Sequence, residues 1–251
     1  MRKAHYLLAV IFLIITIGIS GCSNQQNDRD VLFQTSTIDV LSKGIYDGDV
    51  NFRDLKQHGD FGIGTFNGLD GEMAAVAGEF YQIKADGKAF AVENTMMTPF
   101  SIVTFFEPDK AVSLDKILSL EQLEQYLDNL LPTQNIFYAI KVDGVFGYIK
   151  TRSVSKQDKP YPSLEEALKE QSILESRDVT GTMIGFWCPD YVEGLNVPGY
   201  HFHFITRDRK AGGHLLDCQT QNVKIEIDYT SGFFMTLPGN DGFDKLDLEA
   251  K

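Results

Sequence analysis

Short runs of β-branched and aromatic residues, repeatedly broken by glycine-bearing turns, constrain this chain more than any other feature: most of it reads as sheet. Phe61–Asn67, Glu72–Ala77, Glu79–Lys84 and Lys88–Glu93 are parted by turns at 68–71 and at Asp86-Gly87. Ile136–Val142 and Val145–Arg152 flank Asp143-Gly144, a strong hairpin signal. Thr180–Trp187, His201–Thr206, His214–Gln219 and Val223–Tyr229 continue the pattern. Helices are few. Ser119 and Gln122 form a capping box ahead of Leu120, Leu123, Leu127, Leu130 and Leu131, and Pro132 stops the run. Ser163 with Glu166 opens a second helix through about Gln171, and weaker patterns cover Thr37–Ser42 and Phe52–Gln57. Strands in runs with few helices between them predict an α+β fold on mixed or antiparallel sheets and disfavour a parallel doubly wound one. A faint echo of helix, glycine-rich strand, loop and strand, around Phe52–Ile83 and again around Leu164–Ile205, suggests two related halves without sequence identity.

The first residues predict the compartment. Arg2 and Lys3 precede an apolar run from Tyr6 to Ile19, shorter than the roughly 20 residues a spanning helix needs. Ile19-Ser20-Gly21-Cys22 resembles a bacterial lipobox, in which the cysteine is lipidated. Residues 1–21 are therefore expected to be a lipoprotein-type signal peptide and 22–30 a polar tether. That places the protein outside the cytoplasm, anchored to the cell membrane by lipid at Cys22 or secreted.

With 23 Lys and Arg against 35 Asp and Glu, the chain has a formal charge of −12, which loss of Arg2 and Lys3 would deepen. A nucleic-acid partner is not expected, because phosphate-backbone binding depends on Lys and Arg. Any anion site must be built locally. At 43% hydrophobic and 12% aromatic, the chain can bury a substantial core. Beyond Cys22 only Cys188 and Cys218 remain, too few for a disulfide framework and expected to be small buried apolar residues.

Three of the five histidines cluster near the C-terminal end, and this is the most informative chemical feature. In Gly199–Thr206 the strand alternation points His201 and His203 one way and Phe202 and Phe204 into a core. A polar turn over Arg207–Gly213 then brings His214 opposite the first two. Three neutral imidazoles with an open fourth position suit a catalytic zinc ion. Cys218, on the same expected strand face as His214, could floor the pocket without being a ligand. A cupin reading fails, because it wants a Glu shortly after His203 where Arg207 and Asp208 stand. The glycines of Gly59–Glu72 invite a dinucleotide-binding reading, which also fails: Asn67 replaces the third glycine, and a turn and strand follow where a helix is needed.

The segments 59–72 (GDFGIGTFNGLDGE), 199–206 (GYHFHFIT) and 212–218 (GGHLLDC) resemble the acetolactate decarboxylase family, with the likeness running from Val31 to about Pro238. The resemblance implies zinc held by His201, His203 and His214, and active-site roles for Glu72, Thr65 and Arg152. It implies two similar α+β domains, here 31–155 and 156–251, with the zinc site on a β-hairpin of the second, and a homodimer. In the family a C-terminal carboxylate reaches the metal, and Glu249 is a weak candidate. The activity implied is conversion of 2-acetolactate to acetoin and CO2 through a zinc-stabilised enediolate that is then reprotonated. Two alternatives stand beside it: a secreted zinc hydrolase in which Glu72 activates water, and a metal-binding lipoprotein with no chemistry.

Overall fold

The computed structural model describes residues 28–248; the expected signal segment, Cys22 and Glu249 lie outside the described residues. In chain order, β1 (Val31–Thr35) leads through α1 (Ile38–Ser42) and β2 (Val50–Asn51) to α2 (Phe52–Leu55). A meander follows, of β3 (Phe61–Thr65), β4 (Glu72–Val76), β5 (Glu79–Ile83) and β6 (Ala89–Ala91). Then come β7 (Met97–Thr98), β8 (Ser101–Thr104), β9 (Lys110–Leu114) and α3 (Leu120–Asp128). The remainder is β10 (Phe137–Ser153), α4 (Leu164–Leu168), β11 (Ser172–Cys188), β12 (Gly199–Thr206), β13 (Gly212–Thr230), β14 (Gly232–Thr236) and α5 (Asp241–Asp244).

The helices start where their caps dictate. Ser119 and Gln122 make the reciprocal capping box of α3, and Thr37, Asn51 and Ser163 each accept a backbone N–H at the start of α1, α2 and α4. The strands form an α+β fold of mixed sheets. One sheet has seven strands in the order β14-β1-β8-β3-β4-β5-β6, with β14 parallel to β1 and the other pairs antiparallel. A second has the order β10-β11-β12-β13-β9, and β10 also pairs with β13, so four of its strands close on themselves, while β2 and β7 form a small two-stranded third. Sheet membership does not follow the boundary expected at residue 155: β9 and β10 lie in the second sheet, and β14 returns to the first.

Strand alternation then sorts the side chains. Phe61 and Ile63 of β3 and Ala74 and Val76 of β4 face Ile184 and Phe186 of β11 and Ile205 of β12 in one core between the sheets. Phe33, Met73, Ala75 and Phe80 pack on the opposite side of the first sheet under Phe52 and Leu55 of α2. Phe202 and Phe204 of β12 turn instead into a third cluster, closed by Leu123 and Leu127 of α3.

Two readings of the sequence need correction. Asp143-Gly144 is not a hairpin turn: it lies inside β10, one strand of 17 residues that pairs with β11 on one side and β13 on the other. Its glycine serves close packing, since a Cβ at Gly144 would sit 2.2 Å from the Asn222 carbonyl oxygen. Likewise His214–Gln219 and Val223–Tyr229 belong to a single strand, β13, whose irregularity is absorbed as register shifts against Val145–Tyr148. Replacing Gly144 by Val should therefore cost about 1–3 kcal/mol, as overpacking does. A lowered urea midpoint is expected; an unchanged one would mean that the position tolerates a side chain as a solvent-exposed turn would.

Candidate active site

The inter-sheet core turns polar at one end, because the stripes that build it run on into charged and imidazole residues. Along β12, Ile205 is followed on the same face by His203 and His201, and their neighbours Phe202 and Phe204 are buried behind the sheet, as the alternation predicts. The next strand brings in the third imidazole: His214 is the Cα partner of His203. This hairpin closes only with glycine at 212, where a Cβ would lie 2.1 Å from the Phe204 carbonyl oxygen. One ring nitrogen from each of His201, His203 and His214 lies within 4.8 Å of the others, so the three could hold a metal ion.

Their chemistry fits that use. His203 is 1% exposed, and its Nδ1 lies 2.7 Å from the Met73 carbonyl oxygen. A carbonyl only accepts, so Nδ1 carries the hydrogen and Nε2 keeps its lone pair for the cavity. His201 Nε2 and His214 Nδ1 face each other at 3.2 Å, and the buried Nδ1 of His201 has no partner among the described residues. Burial, with the Arg152 charge adding to it, pushes His201 down to about 4. The same causes, with the neighbouring histidines, hold His203 and His214 well below the usual imidazole range. The cluster is therefore neutral at pH 7, the form that ligates metals.

The first sheet supplies the carboxylate. Thr65 ends the Phe61–Ile63 stripe on β3, and its Cα partner on β4 is Glu72. The Glu72 carboxylate lies 3.6 Å from His203 Nε2 and 3.5 Å from an Arg152 guanidinium nitrogen. Burial raises Glu72 from its ordinary 4.5 to about 7, with Arg152 pulling the other way. Arg152 comes from β10, where its Cα partner on β13 is His214. The Thr65 hydroxyl donates to the Gly71 carbonyl at 2.7 Å and so ties down the turn that delivers Glu72.

All six residues line one cavity of about 340 Å³, with Leu41, Leu69, Phe100 and Val154 among its apolar walls. Cys218 does not floor it: this residue is buried in the α3 core cluster, and both described cysteines are free. Sequence reasoning missed the Met73 carbonyl, a backbone group with no residue-type signal. It also missed Glu124, which α3 carries into the cavity one turn after Leu120. The helical spacing was legible, but not the cavity it faces.

Fold and site together define a strand-built enzyme of the α+β class, with a buried three-histidine cluster beside a glutamate–arginine pair. The family model for alpha-acetolactate decarboxylase matches residues 32–250. The alpha-acetolactate decarboxylase of Methanosarcina mazei is 52% identical over 222 residues, spanning 88% of this chain and 77% of that one. The enzyme of the same name from Bacillus subtilis strain 168 is 40% identical over 234 residues, 92% of each chain. Its crystal structure superposes with a TM-score of 0.86, covering 87% of this chain and 94% of that one. The chain belongs to the alpha-acetolactate decarboxylase family.

The raised Glu72 predicts a sign. Between 4.5 and about 7 the folded state holds a proton that the unfolded chain has released, so this group's contribution to stability is largest below 4.5 and is lost as pH rises through about 7. Urea midpoints of metal-free protein should show wild type losing stability relative to Glu72→Gln as pH climbs across that window, and a level difference above it. A difference independent of pH would show that Glu72 is ionised throughout.

Proposed function

We propose that this acetolactate decarboxylase converts 2-acetolactate to acetoin and CO2 at a zinc ion held by His201, His203 and His214, with Arg152 and Glu72 as the acting side chains. The observation that carries the reading is the placement of a guanidinium, a carboxylate of pKa about 7 and three neutral imidazoles around one substrate-sized cavity.

When bound, the ion supplies Lewis acidity that stabilises the negative charge left on the substrate as CO2 departs. Arg152 grips the substrate carboxylate through its planar fork, and in a chain of net negative charge it is the one cationic side chain among the cavity's described lining residues. Breaking the C–C bond leaves the electron pair on the hydroxyl-bearing carbon, where a proton must then be delivered. Glu72, poised near neutrality between Arg152 and His203, gives that proton to the carbon from its protonated carboxyl group and regains one from water before the next turnover. Thr65 acts on Glu72 rather than on substrate, by holding the Gly71 carbonyl. The apolar walls exclude water from the charge that develops.

Dialysis against a strong chelator should abolish acetoin formation and zinc should restore it. Arg152→Lys keeps the charge but loses the fork, and should lower kcat/KM by about 2–4 kcal/mol in transition-state terms. Glu72→Gln should lower kcat more than it raises KM. Both variants should keep their zinc; loss of metal from either would make that residue part of the metal scaffold and end its catalytic assignment. Acetoin from a verified metal-free sample would overturn the zinc assignment.

We further propose that the protein is anchored outside the cytoplasm by lipid on Cys22, from the charged start, short apolar run and lipobox-like Ile19–Cys22. Cys22→Ala should release it from membranes with turnover unchanged. Native protein carrying no lipid would overturn the anchor.

A further inference from the structure

One charged residue lines the cavity and has no part in the chemistry above. Glu124 enters from α3, one helical turn after Leu120, which lines the same cavity. The adjoining face of the helix is fixed in the core by Leu123 and Leu127. The last turn of the helix is fastened to β12, where the Tyr200 hydroxyl donates to Asp128 at 2.8 Å, one residue before His201. Glu124 is thus set at a defined place relative to the imidazoles. It is half-buried, and among the described residues no hydrogen bond or ion pair neutralises it. Its charged neighbours are Asp128 and Glu121, of the same sign, and with burial they raise its pKa.

We propose that Glu124 determines substrate specificity by restricting the site to acids with a single negative charge. The inference rests on the decarboxylase reading. The cavity is polarised, with the Arg152 guanidinium at the histidine cluster and an acidic helix at another wall. The remaining surface is largely apolar. A 2-hydroxy acid with one carboxylate and alkyl substituents places its charge on Arg152 and its alkyl groups against the walls. A second carboxylate has no cationic partner among the described lining residues and meets Glu124. Specificity achieved by repelling the wrong ligand in this way needs no additional contact with the right one.

The test compares 2-hydroxy-2-methylpropanoate with its dicarboxylate counterpart 2-hydroxy-2-methylbutanedioate on metal-loaded enzyme, with metal content checked at each concentration. Inhibition of acetolactate turnover and direct calorimetric binding are both read. Wild type should prefer the monocarboxylate. Glu124→Gln should narrow that preference about tenfold or more, the scale on which a juxtaposed like charge acts. Glu124→Asp keeps the charge and should keep the preference, and Glu124→Lys should reverse it. A ratio of binding constants that is the same in wild type and Glu124→Gln, with both shown folded by circular dichroism, overturns the proposal. The calorimetric ratio stands apart from turnover: wild type that makes no acetoin would end the decarboxylase reading, and the binding comparison would still decide the role of Glu124.

Discussion

The site depends on one hydrogen bond buried between the two sheets, from His203 Nδ1 to the Met73 carbonyl. A buried imidazole without that acceptor would lose a partner it cannot replace with water, at a cost of about 1–3 kcal/mol. The bond also fixes which ring nitrogen is available, and it ties β12 to β4 at one register. Because Met73 directly follows Glu72, the peptide that orients the imidazole also places the carboxylate beside it. The orientation of the imidazole and the placement of the carboxylate are two results of one strand contact.

Arg152 imposes the second constraint. Its charge depresses the histidines, which are already kept neutral by burial, and opposes the burial that raises Glu72. It reaches the site from the second sheet through its pairing with His214, so the backbone positions of these two residues are set together. On a chain of −12, a positive group placed this way gives the cavity a local potential opposite in sign to the net charge.

What the sequence disclosed follows the physics of each signal. Capping residues act locally, and all four proposed helices begin beside them. Alternation in 199–206 is equally local, and it placed His201 and His203 on one face, with Phe202 and Phe204 behind them. Pairing partners are not local. β1, β8 and β14 are short, and β1 and β8 are buried on both faces, so neither shows an alternating pattern to read. Asp143-Gly144 has turn chemistry, yet neighbours on both sides hold it extended, an outcome set by strands far away in sequence. Glu72, Thr65 and Arg152 were reached by family likeness; nothing in their residue types alone distinguishes them from surface positions. Glu124 was legible only as a helical position, because the cavity it faces is made by other elements.

The pairing of β14 with β1 bears on the order in which this protein can be completed. β1 leaves the ribosome early, yet one of its two sheet neighbours is the last of the described strands to be made. The first sheet therefore keeps an open edge at Val31–Thr35 throughout synthesis, whatever the meander has already achieved. Closure joins residues separated by nearly the whole chain, the kind of contact that slows folding and exposes strand edges while it waits. A chain truncated before Gly232 would retain every histidine of the site and still lack the strand that finishes its first sheet, so the integrity of the enzyme is checked at its C-terminal end.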